Sequence, residues 1–294
     1  MSSDIHTHPT HFVGIAAMLA GTTVFAAMDS TVKLLMADFS VVQVLFFRAG
    51  FGLVPLLPLL WRSGIGGLAT RRPLAHAARS AVGLAAVTCF FLAFQSLPLA
   101  RVTVIGFGAP LLITALSVPL LKEHVGLGRW LAVAMGFSGV LIMAGSDAMS
   151  GGGWSMGAAY ALAGTILYAL VMVMMRIMGR TETALTTVFW FSILTLSVTG
   201  CALPLVWRTP DAQAWALLAT AGILGGIGQL LITQAVRLAP ASVVAPFDYF
   251  HIVASSSLGW LIFAEPLAPS TIAGALVVVG SGLYVLRQEG RSSQ

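Results

Sequence analysis

The sequence predicts an all-α integral membrane protein, with ten transmembrane helices arranged as two inverted five-helix repeats. Three observations predict it. Of the 294 residues, 58% are hydrophobic and only 9% charged. A soluble domain carries about 25% charged residues, so lipid must be the solvent for most of this chain. Ten apolar segments of near-spanning length follow one another with short connections. Residues of the first five segments then recur in the second five at nearly one offset.

The segments cover roughly 12–36, 40–60, 75–97, 101–121, 129–146, 154–176, 184–206, 213–236, 241–263 and 269–287, each close to the ~20 residues a spanning helix needs. Span 1 is too long for a signal-peptide core, contains Asp29 and Lys33, and follows a leader without Lys or Arg, so it reads as a permanent span. Pro98, Pro240 and Pro269 stand before spans 4, 9 and 10, where a missing N–H costs little. Gly151, Gly152 and Gly153 mark a connection at the midpoint, dividing the chain into a first repeat, 1–148, and a second, 149–294. Glycine is abundant, at 31 residues, which suits helices that pack closely in lipid. Cys89 and Cys201 both fall inside apolar segments and read as packed thiols rather than as a disulfide or metal framework.

The repeat is read from five colinear matches. Leu19-Ala20-Gly21-Thr22 recurs as Leu162-Ala163-Gly164-Thr165, and Lys33 falls on Arg176, at an offset of 143 residues (19 to 162). Pro58-Leu59-Leu60-Trp61 resembles Pro204-Leu205-Val206-Trp207. Gln95 matches Gln234, Glu123 matches Glu265, and Ser138-Gly139 matches Ser281-Gly282. Five spans is an odd number, so the second half lies upside down relative to the first. Inverted repeats give a secondary carrier two nearly equivalent conformations around a site at the midplane.

Basic residues orient the chain. With the N-terminus in the cytoplasm, that side holds Arg62, Arg71, Arg72, Arg79, Lys122, Arg129, Arg176, Arg180, Arg237, Arg287 and Arg291. The other side holds Lys33, Arg101 and Arg208, and Arg48 lies within span 2. Both termini are therefore expected in the cytoplasm. Because the basic residues sit between apolar spans, the net charge of +5 serves membrane orientation, and nucleic acid is not an expected partner.

Several pieces resemble the EamA-type branch of the drug/metabolite transporter superfamily. They are Phe94-Gln95-Ser96-Leu97-Pro98-Leu99-Ala100 leading into span 4, Pro110 within it, and its Lys122-Glu123 exit. In the second half they are Gln234 to Pro240 and Phe263-Ala264-Glu265-Pro266-Leu267, with Arg48 after Phe46-Phe47 in span 2. The resemblance covers nearly the whole chain. It implies a secondary-active exporter of small metabolites in the bacterial inner membrane, similar to exporters of aromatic and other amino acids. Nucleosides, vitamins or cationic drugs are the alternative cargo, and a passive channel the alternative mechanism.

Charges inside a span are costly and mark function by default. Asp29 and Lys33 are spaced i, i+4 on one face of span 1. They form either a self-neutralising pair with Lys33 reaching the interface or a clamp for a zwitterion. Arg48 is too deep to be free, and either pairs structurally, with Asp29 or with backbone carbonyls, or binds a carboxylate. Asp248 and His251, i and i+3 beside Tyr249, form a polar packing network or a proton relay. Gln95 and Gln234 can bond between helices or hold substrate. Phe90, Phe94, Tyr160, Tyr168 and Trp190 either pack or line a cavity. Trp61, Trp130, Trp154, Trp207 and Trp215 sit at span ends as interface anchors. Glu123 and Glu265 read as joints between loops and helix ends. Spans 1 to 4 and 6 to 9 are expected around the cavity, with 5 and 10 outside it.

An enzyme is not expected. Gly153-Trp154-Ser155-Met156-Gly157 spells G-x-S-x-G, but that motif needs a strand–turn–helix elbow and here opens a membrane helix. Gly136-Phe137-Ser138-Gly139 resembles an intramembrane protease motif, but its repeat match at Ser281 points to small-residue packing. No phosphate-binding G-x-x-x-x-G-K-[ST] loop is present, which excludes a single-chain primary pump. No cofactor or metal is expected.

Overall fold

A computed structural model describes residues 9–64, 68–70, 72–109, 111–113, 115–116, 130–131, 134–139, 142, 155–178, 181–238 and 247–292. Pro110, Lys122, Glu123, Gly151 to Gly153 and Trp154 lie outside them. The described residues are helical and contain no strand. Six helical stretches are long and apolar enough to cross a membrane: 12–35, 41–59, 73–94, 156–175, 185–205 and 212–235. Phe250–Phe263 and Pro269–Ser281 are shorter apolar helices.

The first helix, α1 (Pro9–Leu35), runs from what is here called the near end of the bundle to the far end. The chain returns through α2 (Val41–Gly52), whose N-cap Ser40 accepts from the Gln43 amide at 3.3 Å. Pro55 then interrupts the helix, because its ring and missing N–H cannot continue the ladder. A 3-10 turn over Val54–Leu56 leads into α3 (Leu57–Ser63). Gly64 ends α3 at φ 65°, a backbone region that favours glycine. The next pair is α4 (Pro73–Phe94) and α5 (Leu99–Gly106), and the second half supplies α6 (Met156–Met178), α7 (Ala184–Ala202), α8 (Ala212–Leu238), α9 (Phe250–Phe263) and α10 (Pro269–Ser292). A second 3-10 turn with a central proline, Leu203–Leu205, ends α7 as the first ends α2.

The core crosses between the halves. α1 packs mainly on α8, α4 on α6, and α2 on α8 and α7. Small residues set these approaches. A Cβ placed on Gly226 of α8 would lie 2.5 Å from the Gly52 carbonyl oxygen and 2.9 Å from Pro55. Residues 134–139 are helical, and Gly139 meets Val277 and the Gly274 carbonyl of α10. Ser138 donates to the Met135 carbonyl of its own helix at 2.6 Å. Trp260, Leu261 and Leu276 are exposed, forming an apolar outer surface that requires lipid.

Two expectations about placement change. Arg79 and Arg101 are not loop residues: both lie within helices and are buried. Cys89 and Cys201 are free thiols, but Cys201 is exposed rather than packed.

Candidate functional site

The site forms where α1, α2, α5, α6 and the segment entering α9 converge. Asp29 of α1 faces His251 of α9, with Oδ2 3.4 Å from Nε2 and the two side chains only 15% and 18% exposed. Asp248, one turn earlier, acts electrostatically on His251, Tyr249 and Tyr168. Arg48 of α2 reaches toward the same place. Its Nε donates to Met28 Sδ at 3.4 Å, its guanidinium lies 5.7 Å from the Phe91 ring centroid, and Asp29 is its charged neighbour. Gly225 of α8 leaves room for it: a Cβ there would stand 3.7 Å from Arg48 Nε and 3.1 Å from Met28 Sδ.

Aromatic rings wall this polar centre. Phe107, at the end of α5, lies 5.0 Å from the Tyr249 ring and 6.2 Å from His251. Tyr168 of α6 is half-exposed and interacts electrostatically with both Asp248 and Arg79. Carboxylates, a guanidinium, an imidazole and ring faces are thus gathered in one region of the bundle. Among the described residues no cluster of His, Cys, Asp and Glu could hold a metal ion.

Other candidate residues are placed elsewhere. The expected Asp29–Lys33 pair does not form. Lys33 instead forms an ion pair with Glu265 and donates to the Leu97 carbonyl at 2.6 Å, while the other Glu265 oxygen accepts from the Leu99 amide at 2.9 Å. Lys33 lies four residues beyond Asp29, at the far end, where a partner on another element is already fixed in place. Gln95 is also at the far end, donating to the Met36 carbonyl at 3.1 Å. Gln234 is exposed on α8. Trp190 is at the near end, with its indole N–H 3.0 Å from the Leu68 carbonyl. Phe94 is core, and Phe90 fills the seam beside Gly106 and Gly164. Tyr160 packs against the same core.

Sequence reasoning assigned Arg79 to a loop and missed Phe107, Phe91 and Met28. The available signal for Arg79 was Gly83, four residues on, which opens the same helix face beside a cation.

Comparison with known proteins places this architecture. The profile of the EamA-like transporter family matches residues 12–145 and again residues 155–287. The chain belongs to that family. This EamA-like chain is 26% identical over 283 residues to the S-adenosylmethionine uptake transporter of Rickettsia prowazekii, covering 96% of the chain and 95% of the relative. It is 27% identical over 251 residues to the riboflavin transporter of Rhizobium johnstonii, covering 84% and 81%. It is 26% identical over 270 residues to the pseudopaline exporter CntI of Pseudomonas aeruginosa, covering 90% and 92%. A solved crystal structure matches the fold with a TM-score of 0.61 at 20% identity, over 97% of this chain and 99% of the other. The EamA-like relatives are transporters of small metabolites, not enzymes, and the chain is a multi-pass membrane protein of that kind.

Proposed function

We propose that the chain is a secondary carrier for small zwitterionic metabolites, amino acids and compounds built on them, in a bacterial inner membrane. Its halves act as inverted repeats in alternating access around the Asp29–His251 centre. One observation carries the reading: Asp29, Arg48, Asp248 and His251 meet inside an envelope of apolar helices. Charges removed from water cost several kcal/mol each unless paired, and a transport cycle is a reason to keep them. A ligand's ammonium suits the carboxylates, and its apolar body suits Phe107, Tyr249 and Tyr168. Relatives named for uptake and for export both occur, so flux must be followed in both directions.

The test is counterflow in liposomes holding the purified protein, with S-adenosylmethionine, phenylalanine, riboflavin and a nucleoside as labelled cargo. Saturable, trans-stimulated flux of the amino-acid-bearing compounds is expected. Flux confined to riboflavin or the nucleoside overturns the cargo class, and unsaturable flux without trans-stimulation overturns the carrier.

A further inference from the structure

A second polar group lies near the start of α4, outside the Asp29–His251 centre. His76, Arg79 and Ser80 stand at i, i+3 and i+4, so they share one face of the helix. All three are buried; Arg79 is 8% exposed. Four of their polar atoms find no partner among the described residues: Nδ1 of His76, Nε and Nη1 of Arg79, and Oγ of Ser80. Buried polar groups are nearly always satisfied, so this many on one face need an explanation.

The arginine makes the explanation specific. Its guanidinium does not reach back toward the near end of the bundle, as a snorkelling side chain would. It runs inward over Gly83, where a Cβ would stand 3.8 Å from Nη1, and stacks 4.5 Å from the Phe191 ring centroid of α7. Its Nη2 contacts Met175 Sδ of α6 at 3.5 Å, a weak acceptor. The Glu182 carboxylate nearby stands 3.3 Å from His76 Nε2 and accepts from Thr70 Oγ1 at 3.0 Å. The titratable group acting on Arg79 is Tyr168, which also interacts with Asp248. Tyr168 thus links this cluster to the central site.

We propose that Arg79, assisted by His76 and Ser80, is an anion-binding subsite for the carboxylate of the transported metabolite, between α4, α6 and α7. A guanidinium offers a planar fork of N–H donors that matches a carboxylate, and the stacked Phe191 ring leaves its donor edge free. Arg79 and Phe91, the ring beside Arg48, are twelve residues and so about 18 Å apart along α4, so Arg79 holds the cargo's carboxylate at a separate station on the way to the Asp29–His251 centre, and this subsite rests on the zwitterion reading of that centre.

Binding and flux test it separately. The purified full-length protein is melted with benzoate or benzamide, and with phenylalanine or phenylalaninamide. The expected result is stabilisation of the wild type by each carboxylate over its amide. In R79Q this preference is lost, and S80A weakens it. R79K keeps the charge without the fork and holds part of the preference, which covers failure of R79Q to fold. In counterflow, R79Q raises KM for phenylalanine about ten- to a hundredfold, as loss of a charged hydrogen-bond partner does, with the amide unaffected. Carboxylate preference unchanged in R79Q and R79K, or absent from the wild type, overturns the subsite. Carboxylate stabilisation without any flux overturns the carrier reading and leaves the subsite standing.

Discussion

At the residue scale the chemistry depends on which charges face each other. Asp29 meets His251 at 3.4 Å and neighbours Arg48. Asp29→Asn keeps the shape and removes the charge from both partners. Losing one member of a buried charge pair costs about 2–5 kcal/mol, so kcat/KM for cargo should fall at least about 30-fold, with monodispersity on gel filtration unchanged. Flux through Asp29→Asn within threefold of wild type would sink the central site. The spacing of Asp29 and Lys33 suggested an intrahelical pair, an interaction worth only about 0.2–0.5 kcal/mol in an isolated helix. The structure prefers Glu265, 232 residues away in sequence, a partner that no local pattern could have named. Arg79 was only partly readable: Gly83 opens its helix face, but a cation near a span's start is compatible with reaching out or turning in, and the packing against Phe191 decides.

At the element scale, helix ends and seams hold the bundle. α9 ends at Ala264, in the left-handed region at φ 52°, and the amides of Ala264 and Glu265 return to the Trp260 and Gly259 carbonyls at 3.1 Å. This turn aims Glu265 at Lys33 and the Leu99 amide. A double-mutant cycle of Lys33→Met and Glu265→Gln, read by thermal denaturation in detergent, should show about 1–3 kcal/mol of coupling. Additive effects would mean the pair contributes nothing. The α2–α8 seam gives a second prediction. Gly226→Ala has no room beside the Gly52 carbonyl and should destabilise by about 1–3 kcal/mol. Gly280→Ala, with nothing within 4 Å, should be neutral or slightly stabilising. The long spans were legible because twenty apolar residues admit few other readings. The break of α2 at Pro55 was not, since a proline within an apolar run fits a kinked span as well as an ended one.

At the scale of the whole molecule, polar groups among the described residues gather at two ends of the bundle. Asp38, Gln43, Lys33, Arg208 and Glu265 cluster at the far end, where Arg208 donates to the Asp38 carbonyl at 2.7 Å and Gln43 to the Arg208 carbonyl at 2.7 Å. His76, Glu182, Thr70 and Trp190 cluster at the near end. The orientation read from basic residues puts the near end in the cytoplasm. In a protein lacking Cys89 and Cys201, Thr209→Cys should then react with an impermeant thiol reagent on intact cells. Arg62→Cys should react only after permeabilisation, and the reverse pattern would turn the molecule over.

The packing of α1 on α8 has a consequence for biosynthesis. Leu35 and Ala212 are 177 residues apart, so at about 5–20 residues per second α1 leaves the ribosome roughly 10–35 seconds before its main partner. Through that interval Asp29 sits in the bilayer without His251, and the face of Phe25, Met28, Phe51 and Pro55 that will receive the glycines of α8 lacks that partner. The nascent first half is thus an open, charged intermediate that depends on the insertion machinery or a membrane chaperone to shelter it. Chains stopped before α8 should be cleared by membrane proteases far faster than chains stopped after α9.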